Sequence, residues 1–415
     1  MKKKILMISY HTCPLASEEG KETGGMNVYV YELSSALSKL GYEVDVVTRS
    51  QDDTREKIVQ VEKDFRVIHL VAGPELPQPR KNVIDFVPEF IESLNAFIKK
   101  EHLHYDIIHA HYYLSGLIAL GIRTPETHAV PFVLTFHTLA LMKNLVARAS
   151  WEEESRARID AEFTLLQEAN AIIAPSASDK QYLMYLYEAN AEKIVEIPPG
   201  VNKKLFRPMD KTEAKHHVGI SQTRKTLLFV GRIEPLKGID MLLYSVKILK
   251  MQFPVSPLTL LIVGGDISQH ITTWSPEMRQ LNTLRQVLHI EEEVQFIGQR
   301  PQNELPYFYN AADIVVIPSH YESYGMVIAE AMACGTPVIT TNVAGISDLI
   351  DERRSTLITT VHNPLLLASQ IRQLLTNETM YKEVQRNSIA STKDLSWSVV
   401  AGQVSQVYMR VLHQL

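Results

Sequence analysis

The stretch from Pro318 to Pro337, PSHYESYGMVIAEAMACGTP, decides the fold of this 415-residue chain. The apolar residues 312–317 that precede it are typical of a buried parallel strand. Residues 319–324 are polar, and residues 326–333 are good helix formers without Pro or Gly. A second apolar strand follows Pro337 directly. The order of strand, loop, helix and strand predicts a parallel α/β unit.

Two carboxylates in this stretch suggest a binding site. Glu322 lies in the loop at the helix entrance, where Ser323 is a candidate N-cap and Gly325 a turn residue. Glu330 follows about two helical turns later. A helix N-terminus binds phosphate, and each carboxylate can accept from two neighbouring hydroxyls, which suits a polyhydroxyl anion. The alternative is that both glutamates are solvated helix charges and Gly325 is an ordinary turn residue.

The composition predicts a two-domain globular protein. Hydrophobic residues make up 45% and charged residues 21% of the chain, and the formal net charge is -5. No basic stripe suggests a nucleic-acid partner. The two cysteines, Cys13 and Cys334, give neither a disulfide framework nor a zinc pattern, which fits a reducing cytoplasm. The sequence has no apolar run of 18 residues, so we expect no transmembrane segment.

A glycine pair near the N-terminus predicts an anion site. The first strand, residues 5–10, is followed by a polar loop that ends in Gly24 and Gly25. A helix with apolar residues at spacings of three and four comes next, and then a second strand. Glycines let backbone N–H groups approach a phosphate at a helix N-terminus. The alternative is a glycine pair that only relieves crowding in a turn.

Several histidines stand where predicted strands end. His109 and His111 close one strand, directly before Tyr112, and His137 closes another. Ligands of parallel sheets collect at the carboxyl ends of the strands. We expect His109 to be a hydrogen-bonded core residue, and the sequence leaves His111 open between the core and a site. The charges of the predicted helix 151–168 are expected to form mostly a solvated face.

The strand and helix pattern occurs twice. Residues 201–226 are polar and without sustained periodicity, so we predict the connection between two domains there. The predicted domains are residues 1–205 and residues 225–396, each a doubly wound α/β unit, with a ligand site in a cleft between them. A final helix is predicted over residues 397–412 from the spacing of its valines.

Three motifs together resemble a known family. They are TGGMNVYV at 23–30, FVGRIEPLKG at 229–238, and the segment ESYGMVIAEAMACGTPV that carries Glu322 and Glu330. Their order and spacing resemble retaining family-4 glycosyltransferases of the GT-B architecture. The resemblance implies two Rossmann-like domains facing across a cleft, with residues 397–415 packing on the first domain. It also implies a metal-independent hexosyltransferase whose sugar donor is a nucleotide sugar, with UDP-glucose expected and no other cofactor.

The resemblance implies roles for individual donor-site residues. Arg232 and Lys237 match the pair that neutralises the leaving diphosphate, and His137 and Glu322 match residues near the donor sugar. Glu330 matches the carboxylate that holds the ribose. The remaining positions implied for donor binding are Gly24, Gly25, Gly298, Arg300, Ser323, Tyr324, Gly325 and Met326. Cations and helix N-termini that face the developing charge commonly contribute ~2.7–4 kcal/mol each to transition-state stabilisation.

Two branches of the family fit best, the bacterial sucrose-phosphate synthases and the inositol-phosphate glycosyltransferases of mycothiol synthesis. Both use phosphorylated acceptors, and the resemblance narrowly favours the former, with fructose 6-phosphate as acceptor. The residues implied for acceptor binding are Arg80, Lys81, Tyr112, Thr138, Lys143 and Arg158. Alternatively, Lys143 and Arg158 are ordinary helix charges.

Two functions of other classes stay open at this stage. A non-hydrolysing sugar-nucleotide epimerase would share the two-domain architecture, but it needs no cationic acceptor pocket. A non-catalytic sugar-nucleotide sensor would not need both cations and both glutamates of the donor motifs. The oligomeric state is not legible from the sequence.

Overall fold

The structure is a computed structural model that describes residues 2–15, 24–79, 82–123, 130–252, 257–268, 270–342, 356–359 and 363–414. Its internal contacts divide the chain into two compact units. The first unit comprises Met1–Gly200 together with Trp397–Leu415, and the second comprises Val201–Ser396. Arg80 and Lys81, predicted to bind the acceptor, lie outside the described residues.

The first unit alternates strands and helices from its N-terminus. Its elements are β1 (Lys4–Ile8), α1 (Gly25–Lys39), β2 (Glu43–Arg49), β3 (Ile58–Glu62), β4 (Phe65–Leu70), α2 (Val87–Lys100), β5 (Ile107–His111), α3 (Tyr113–Gly121), β6 (Phe132–Thr135), α4 (Ala140–Val146), α5 (Arg156–Glu168), β7 (Ala171–Ala174), α6 (Ala177–Leu186) and β8 (Ile194–Glu196).

These strands form one eight-stranded sheet in the order β3-β4-β2-β1-β5-β6-β7-β8. All neighbours pair in parallel except β3, which runs antiparallel to β4 at the edge. The central strands β5, β6 and β7 are buried along their whole length, as expected where helices cover both faces of a parallel sheet. The strand order reverses between β1 and β5, which is where doubly wound sheets bind ligands.

The second unit repeats this alternation. Its elements are α7 (Lys211–His217), β9 (Lys225–Val230), α8 (Ile239–Gln252), β10 (Leu258–Val263), α9 (Pro276–Val287), β11 (Val294–Gly298), α10 (Leu305–Ala311), β12 (Ile314–Ile317), α11 (Met326–Ala333), β13 (Val338–Thr341), β14 (Thr356–Thr359), α12 (Pro364–Thr376) and α13 (Glu378–Ser391). The six strands pair in parallel in the order β11-β10-β9-β12-β13-β14. The order reverses between β9 and β12.

The last helix, α14 (Trp397–His413), packs against α1 in the first unit. Its valines at spacings of three and four turn one apolar face inward, and Val404 is fully buried. Two tyrosine hydroxyls also tie it down. Tyr42 bonds with Ser405 Oγ at 2.6 Å, and Tyr408 bonds with His109 Nδ1 at 2.7 Å. In the described part of the chain, no helix combines the length and the apolar character that crossing a membrane requires.

The two units divide between Gly200 and Val201, at the start of the predicted connection 201–226, but Val201 and Phe206 are buried in the core of the second unit and α7 lies in the same stretch. Two local predictions were wrong. The helix predicted over 151–168 begins only at Arg156, after a short 3₁₀ turn at Ser150–Glu152. The N-cap of α11 is Gly325 in the left-handed conformation, at φ 75°, and not Ser323.

The packing of α14 gives a test of the fold. We expect V404A to lower the free energy of unfolding of the first unit by roughly 1–3 kcal/mol, because it leaves a cavity against α1. The matched control is V399A on the same helix, where the side chain is 45% exposed, and it should change the stability by less than about 0.5 kcal/mol. Thermal and denaturant unfolding curves measure both. Equal losses for the two variants would contradict this packing.

Candidate active site

The carboxyl ends of β9 and β12 bring the predicted donor residues of the second unit together. Arg232 follows β9, and Lys237 closes the 3₁₀ turn Pro235–Lys237. The Lys237 ammonium donates to Glu322 Oε1 at 2.6 Å, and the Ser319 hydroxyl donates to the same oxygen at 2.8 Å. Both partners of this ion pair have side chains that are 15% exposed. Arg232 lies in the same loop, but it pairs with Glu234 at 2.8 Å and stays half-exposed.

A glycine allows these two loops to meet. Gly238 has a left-handed φ of 62°, and a Cβ at this position would stand 2.2 Å from the carbonyl oxygen of Pro318. The backbone N–H of His320 donates to the carbonyl of Leu236 at 2.8 Å. Any side chain larger than hydrogen would push the loop after β9 away from the loop after β12. The sequence LKG therefore fixes the Lys237 ammonium beside Glu322.

Glu330 is buried in α11 and held by two groups that the sequence did not reveal. Gln302 Nε2 donates to one of its carboxylate oxygens at 2.8 Å, and the Tyr309 hydroxyl donates to the other at 2.7 Å. Burial, with the Glu330 carboxylate as a further cause, raises the pKa of Tyr309, so its hydroxyl stays protonated and donates. These bonds orient a carboxylate in the middle of α11. No pattern in the sequence marked Gln302 or Tyr309.

The remaining donor-site predictions have the following places. Gly325 and Met326 form the N-terminal end of α11, where backbone N–H groups lack helical acceptors. Tyr324 is buried and Ser323 half-buried in the preceding loop. Gly298 ends β11 with φ 79°, and Arg300 beside it is exposed and donates to the carbonyl of Ile297. In the first unit, Gly24 caps α1 and Gly25 begins it.

The predicted acceptor residues that the structure describes, Tyr112, Thr138 and Lys143, gather around Arg158. The guanidinium of Arg158 is 1% exposed. It donates through Nε to Glu162 Oε1 at 2.8 Å and through an Nη atom to the carbonyl oxygen of Thr138 at 3.0 Å. Its other Nη atom lies 2.8 Å from Glu154 Oε1. The ring of Tyr112 stacks under it, with 4.8 Å between the guanidinium carbon and the ring centroid.

Arg158 is therefore not part of a solvated helix face, whereas Arg156 two residues earlier is 85% exposed. Burial lowers the pKa of the Arg158 guanidinium, but Tyr112, Glu162 and Glu154 outweigh that effect and leave its pKa raised. Arg158 is thus a permanently charged group inside the first unit. Such a charge persists only where anions surround it.

Glu162 is the fixed partner of this arginine. It is fully buried and accepts from the Ala140 backbone N–H at 2.9 Å and from the Tyr187 hydroxyl at 2.5 Å, in addition to Arg158. The three donors come from α4, α5 and the end of α6, and together they satisfy both carboxylate oxygens of Glu162. Sequence reasoning missed Glu162 and Tyr187. The only available signal was the four-residue spacing of Arg158 and Glu162 within RARIDAE, which also occurs on solvated helices.

Lys143 joins the cluster from α4. Its ammonium forms an ion pair with the same Glu154 carboxylate that faces Arg158. Glu154 lies in the break between the 3₁₀ turn and α5, where the sequence had predicted uninterrupted helix. Its role was therefore missed. The side chains of Lys143 and Glu154 are 16% and 15% exposed, so this end of the cluster is the more accessible one.

The histidines at the ends of β5 and β6 lie close together, with His109 and His111 fully buried and His137 half-buried. His109 bonds with Tyr408 and with the Thr135 hydroxyl at 2.9 Å, which confirms its assignment as a hydrogen-bonded core residue. His111 Nδ1 lies 3.0 Å from His137 Nε2. Burial lowers the pKa of His109 and of His137 to about 3, so both rings are neutral at physiological pH. His137 can therefore offer a hydrogen bond but not a positive charge.

Backbone strain marks the residues that follow β5 and β6. Tyr112 has φ 76° and His137 has φ 64°, although neither is a glycine. Non-glycine residues in this region are uncommon and cluster at functional sites. Among the described residues, no group of three or more His, Cys, Asp or Glu side chains is arranged to hold a metal ion.

Comparisons with known proteins identify the family of this chain. The family model described as Glycosyltransferase Family 4 matches residues 23–205, and the model described as Glycosyl transferases group 1 matches residues 210–391. The chain is 31% identical over 411 residues to the D-inositol 3-phosphate glycosyltransferase of Corynebacterium diphtheriae, covering 98% of this chain and 95% of the relative. It is 33% identical over 408 residues to the enzyme of the same name from Corynebacterium glutamicum, covering 98% and 96%.

Solved structures give the same fold. Sucrose-phosphate synthase from Thermosynechococcus elongatus matches with a TM-score of 0.89 and 29% identity, covering all of both chains. The Anabaena protein HepE, solved with UDP and glucose, matches with a TM-score of 0.76 at 18% identity, which supports the fold alone. The matches span both units and include relatives above 30% identity over nearly their whole length. The chain therefore belongs to the family-4 glycosyltransferases, and its two Rossmann-like units are those of the GT-B architecture.

Proposed function

We propose that this enzyme transfers glucose from a nucleotide sugar, with UDP-glucose as the expected donor, to a sugar or polyol that carries a phosphate. The transfer retains the anomeric configuration and needs no metal ion. The observation that carries the proposal is that buried Arg158 on α5 and Lys143 on α4 share one carboxylate oxygen, Oε1 of Glu154. Two cations that share one anion position are suited to a phosphate monoester.

The donor side of the proposal rests on Arg232, Lys237 and α11. Departure of the sugar leaves new negative charge on the diphosphate, which cations and a helix N-terminus stabilise. Lys237 is held in place by Glu322 and is half-buried, so it meets a diphosphate with little competing water. Glu330, oriented by Gln302 and Tyr309, is suited to accept from the two ribose hydroxyls.

In the proposed reaction the acceptor oxygen bonds to the anomeric carbon on the face from which the diphosphate leaves. The bond between that carbon and the diphosphate oxygen breaks, and the acceptor hydroxyl proton passes to the departing diphosphate. Neutral His137 donates or accepts a hydrogen bond at the donor sugar. Glu322 is engaged by Lys237 and Ser319, and we assign it to binding the sugar instead of to a covalent intermediate.

Two acceptors have specific support. The relatives from Corynebacterium are named D-inositol 3-phosphate glycosyltransferases, and the solved structure with a TM-score of 0.89 is a sucrose-phosphate synthase. Both names contain a phosphorylated sugar or polyol. The identities of 31–33% and 29% differ too little to choose between them. The first experiment therefore covers inositol 3-phosphate and fructose 6-phosphate.

The function is tested by an acceptor screen with UDP-glucose in the presence of EDTA. We expect release of UDP with fructose 6-phosphate or inositol 3-phosphate, and at least a hundredfold lower kcat/KM with fructose or inositol, because Arg158 and Lys143 then lack their anion. UDP-N-acetylglucosamine serves as the second donor. Inversion of the donor sugar without any acceptor would instead support an epimerase. Equal use of phosphorylated and unphosphorylated acceptors would contradict the proposal, and loss of activity in EDTA would contradict metal independence.

Arg158 has a natural control in Arg156. We expect R158K to raise KM for the phosphorylated acceptor by roughly 10- to 100-fold, since lysine keeps the charge but lacks the bidentate fork. Kd for UDP, measured by titration calorimetry, should change less than twofold. R158A is a harsher variant because it leaves Glu162 buried without its cation. R156A, which alters an exposed side chain, should behave as wild type. Equal losses in acceptor and donor affinity for R158K would show that Arg158 is not at the acceptor.

The role of Lys237 is tested by substitution, with an exposed Lys–Glu pair in the same unit as the control. We expect K237A to lower kcat by roughly 10²–10³-fold, because the diphosphate loses a cation that matters most in the transition state. K382A breaks the exposed pair between Lys382 and Glu378 and should leave kcat within twofold. Steady-state rates at saturating donor measure both. A K237A enzyme with a normal kcat and only a raised donor KM would contradict the assigned role.

A further inference from the structure

The carboxylate of Glu154 occupies the position between the two proposed phosphate-binding cations. One of its oxygens lies 2.8 Å from an Nη atom of Arg158, and the same oxygen forms the ion pair with the Lys143 ammonium. Carboxylate and phosphate oxygens bind guanidinium and ammonium groups in similar geometry. An acceptor phosphate that uses Arg158 and Lys143 would therefore compete with the Glu154 carboxylate for the same two cations.

Hydrogen bonds to its backbone fix the position of Glu154. The side chain of Asn144 accepts from the backbone N–H of Glu154 at 2.6 Å and donates to its carbonyl at 3.2 Å. The residue stands directly before Ser155, the N-cap of α5, whose side chain accepts from the Arg158 N–H. This arrangement fixes the Cα of Glu154 beside α4 and leaves its side-chain torsions to decide where the carboxylate lies.

The two carboxylates at Arg158 differ in how easily they can leave. Glu162 has no exposed surface and accepts from three donors in three parts of the first unit. Glu154 is 15% exposed and lies in the short break between two helical segments. Moving Glu154 toward water separates it from Arg158 and Lys143 at the more accessible end of the cluster, whereas moving Glu162 would break hydrogen bonds to three buried donors. Glu154 is thus the more exposed of the two carboxylates at Arg158.

The charge balance makes this exchange necessary. Lys143 and Arg158 carry two positive charges, and Glu154 and Glu162 carry two negative ones, so these four side chains form a neutral cluster. A phosphate monoester carries about −1.5 to −2 charges at pH 7. It gains little from a neutral cluster and is repelled by an adjacent carboxylate at short range. With Glu154 removed from the cations, the remaining three side chains are net positive.

We propose that Glu154 is an internal substitute for the acceptor phosphate, which holds Lys143 and Arg158 while the acceptor is absent and gives up both cations when the phosphate binds. The inference rests on the proposed function and adds a residue that sets acceptor affinity and selectivity. Glu154 gives the buried Arg158 guanidinium a second anion beside Glu162. An acceptor hydroxyl without phosphate cannot displace a carboxylate from two cations, so Glu154 also raises the discrimination against unphosphorylated acceptors.

The test is E154Q, with E153Q as the matched control one residue earlier, where the side chain is exposed. Glutamine keeps the size of the side chain and removes the charge that competes with phosphate. We expect E154Q to lower KM for the phosphorylated acceptor about five- to tenfold and to leave KM for the donor unchanged. Inorganic phosphate should raise the Tm of E154Q more than that of wild type or E153Q. E154A, which removes the charge without adding an amide, provides a second variant.

The outcomes separate this inference from the proposed function. If wild type uses phosphorylated acceptors but E154Q and E154A have an equal or higher acceptor KM, Glu154 is a structural partner of Arg158 and the exchange is wrong. If wild type uses no phosphorylated acceptor, the proposed function fails. The phosphate-dependent Tm does not need turnover, and equal shifts for wild type, E154Q and E154A would overturn the exchange in that case as well.

Discussion

A permanently charged guanidinium inside a protein must be surrounded by anions, and this constraint organises the first unit around Arg158. Removing one partner of such a buried pair typically costs about 3–5 kcal/mol. Glu162, Tyr187 and the backbone of Ala140 form a fixed set of contacts that holds the arginine at the carboxyl end of β6. The stacked ring of Tyr112 covers one face of the guanidinium. The cost of burying this charge makes sense if the charge later meets a substrate anion.

In the second unit, too, the cations of the candidate site are paired with carboxylates. Lys237 is paired with Glu322 and Arg232 with Glu234, so both proposed diphosphate ligands have carboxylate partners. Ion pairs of this kind keep cations oriented and prevent repulsion between them while no phosphate is present. Each pair lies at the carboxyl end of a central parallel strand, where this type of sheet exposes its ligand site. In both units, therefore, carboxylates pair with the cations that we propose as phosphate ligands.

The sequence predicted what local patterns determine. The apolar strand, polar loop and helix around Glu322 appear as expected, because buried parallel strands and glycine-bounded helices leave strong local signals. The Arg232–Lys237 loop was assigned from its resemblance to a family. The side chains that orient the site were not predictable in this way. Gln302 and Tyr309 reach Glu330 across 28 and 21 residues of sequence, and only the folded chain brings them together.

Arg156 and Arg158 show why charge patterns alone mislead. They stand two residues apart on one helix and so point about 200° apart around its axis. One is 85% exposed and the other 1%, but the letters RARIDAE do not say which face is buried. Likewise, the run of glutamates at 152–154 reads as solvated helix, and only the break before Arg156 directs Glu154 to the two cations.

We propose that protein carboxylates hold the cations which substrate phosphates later take over. A crystal structure with UDP and the phosphorylated acceptor selected by the screen tests this exchange most directly. The account predicts acceptor phosphate oxygens within hydrogen-bond distance of Arg158 and Lys143, with the Glu154 carboxylate moved away and the Arg158–Glu162 bond intact. A phosphate bound elsewhere, with Glu154 still on both cations, would contradict it.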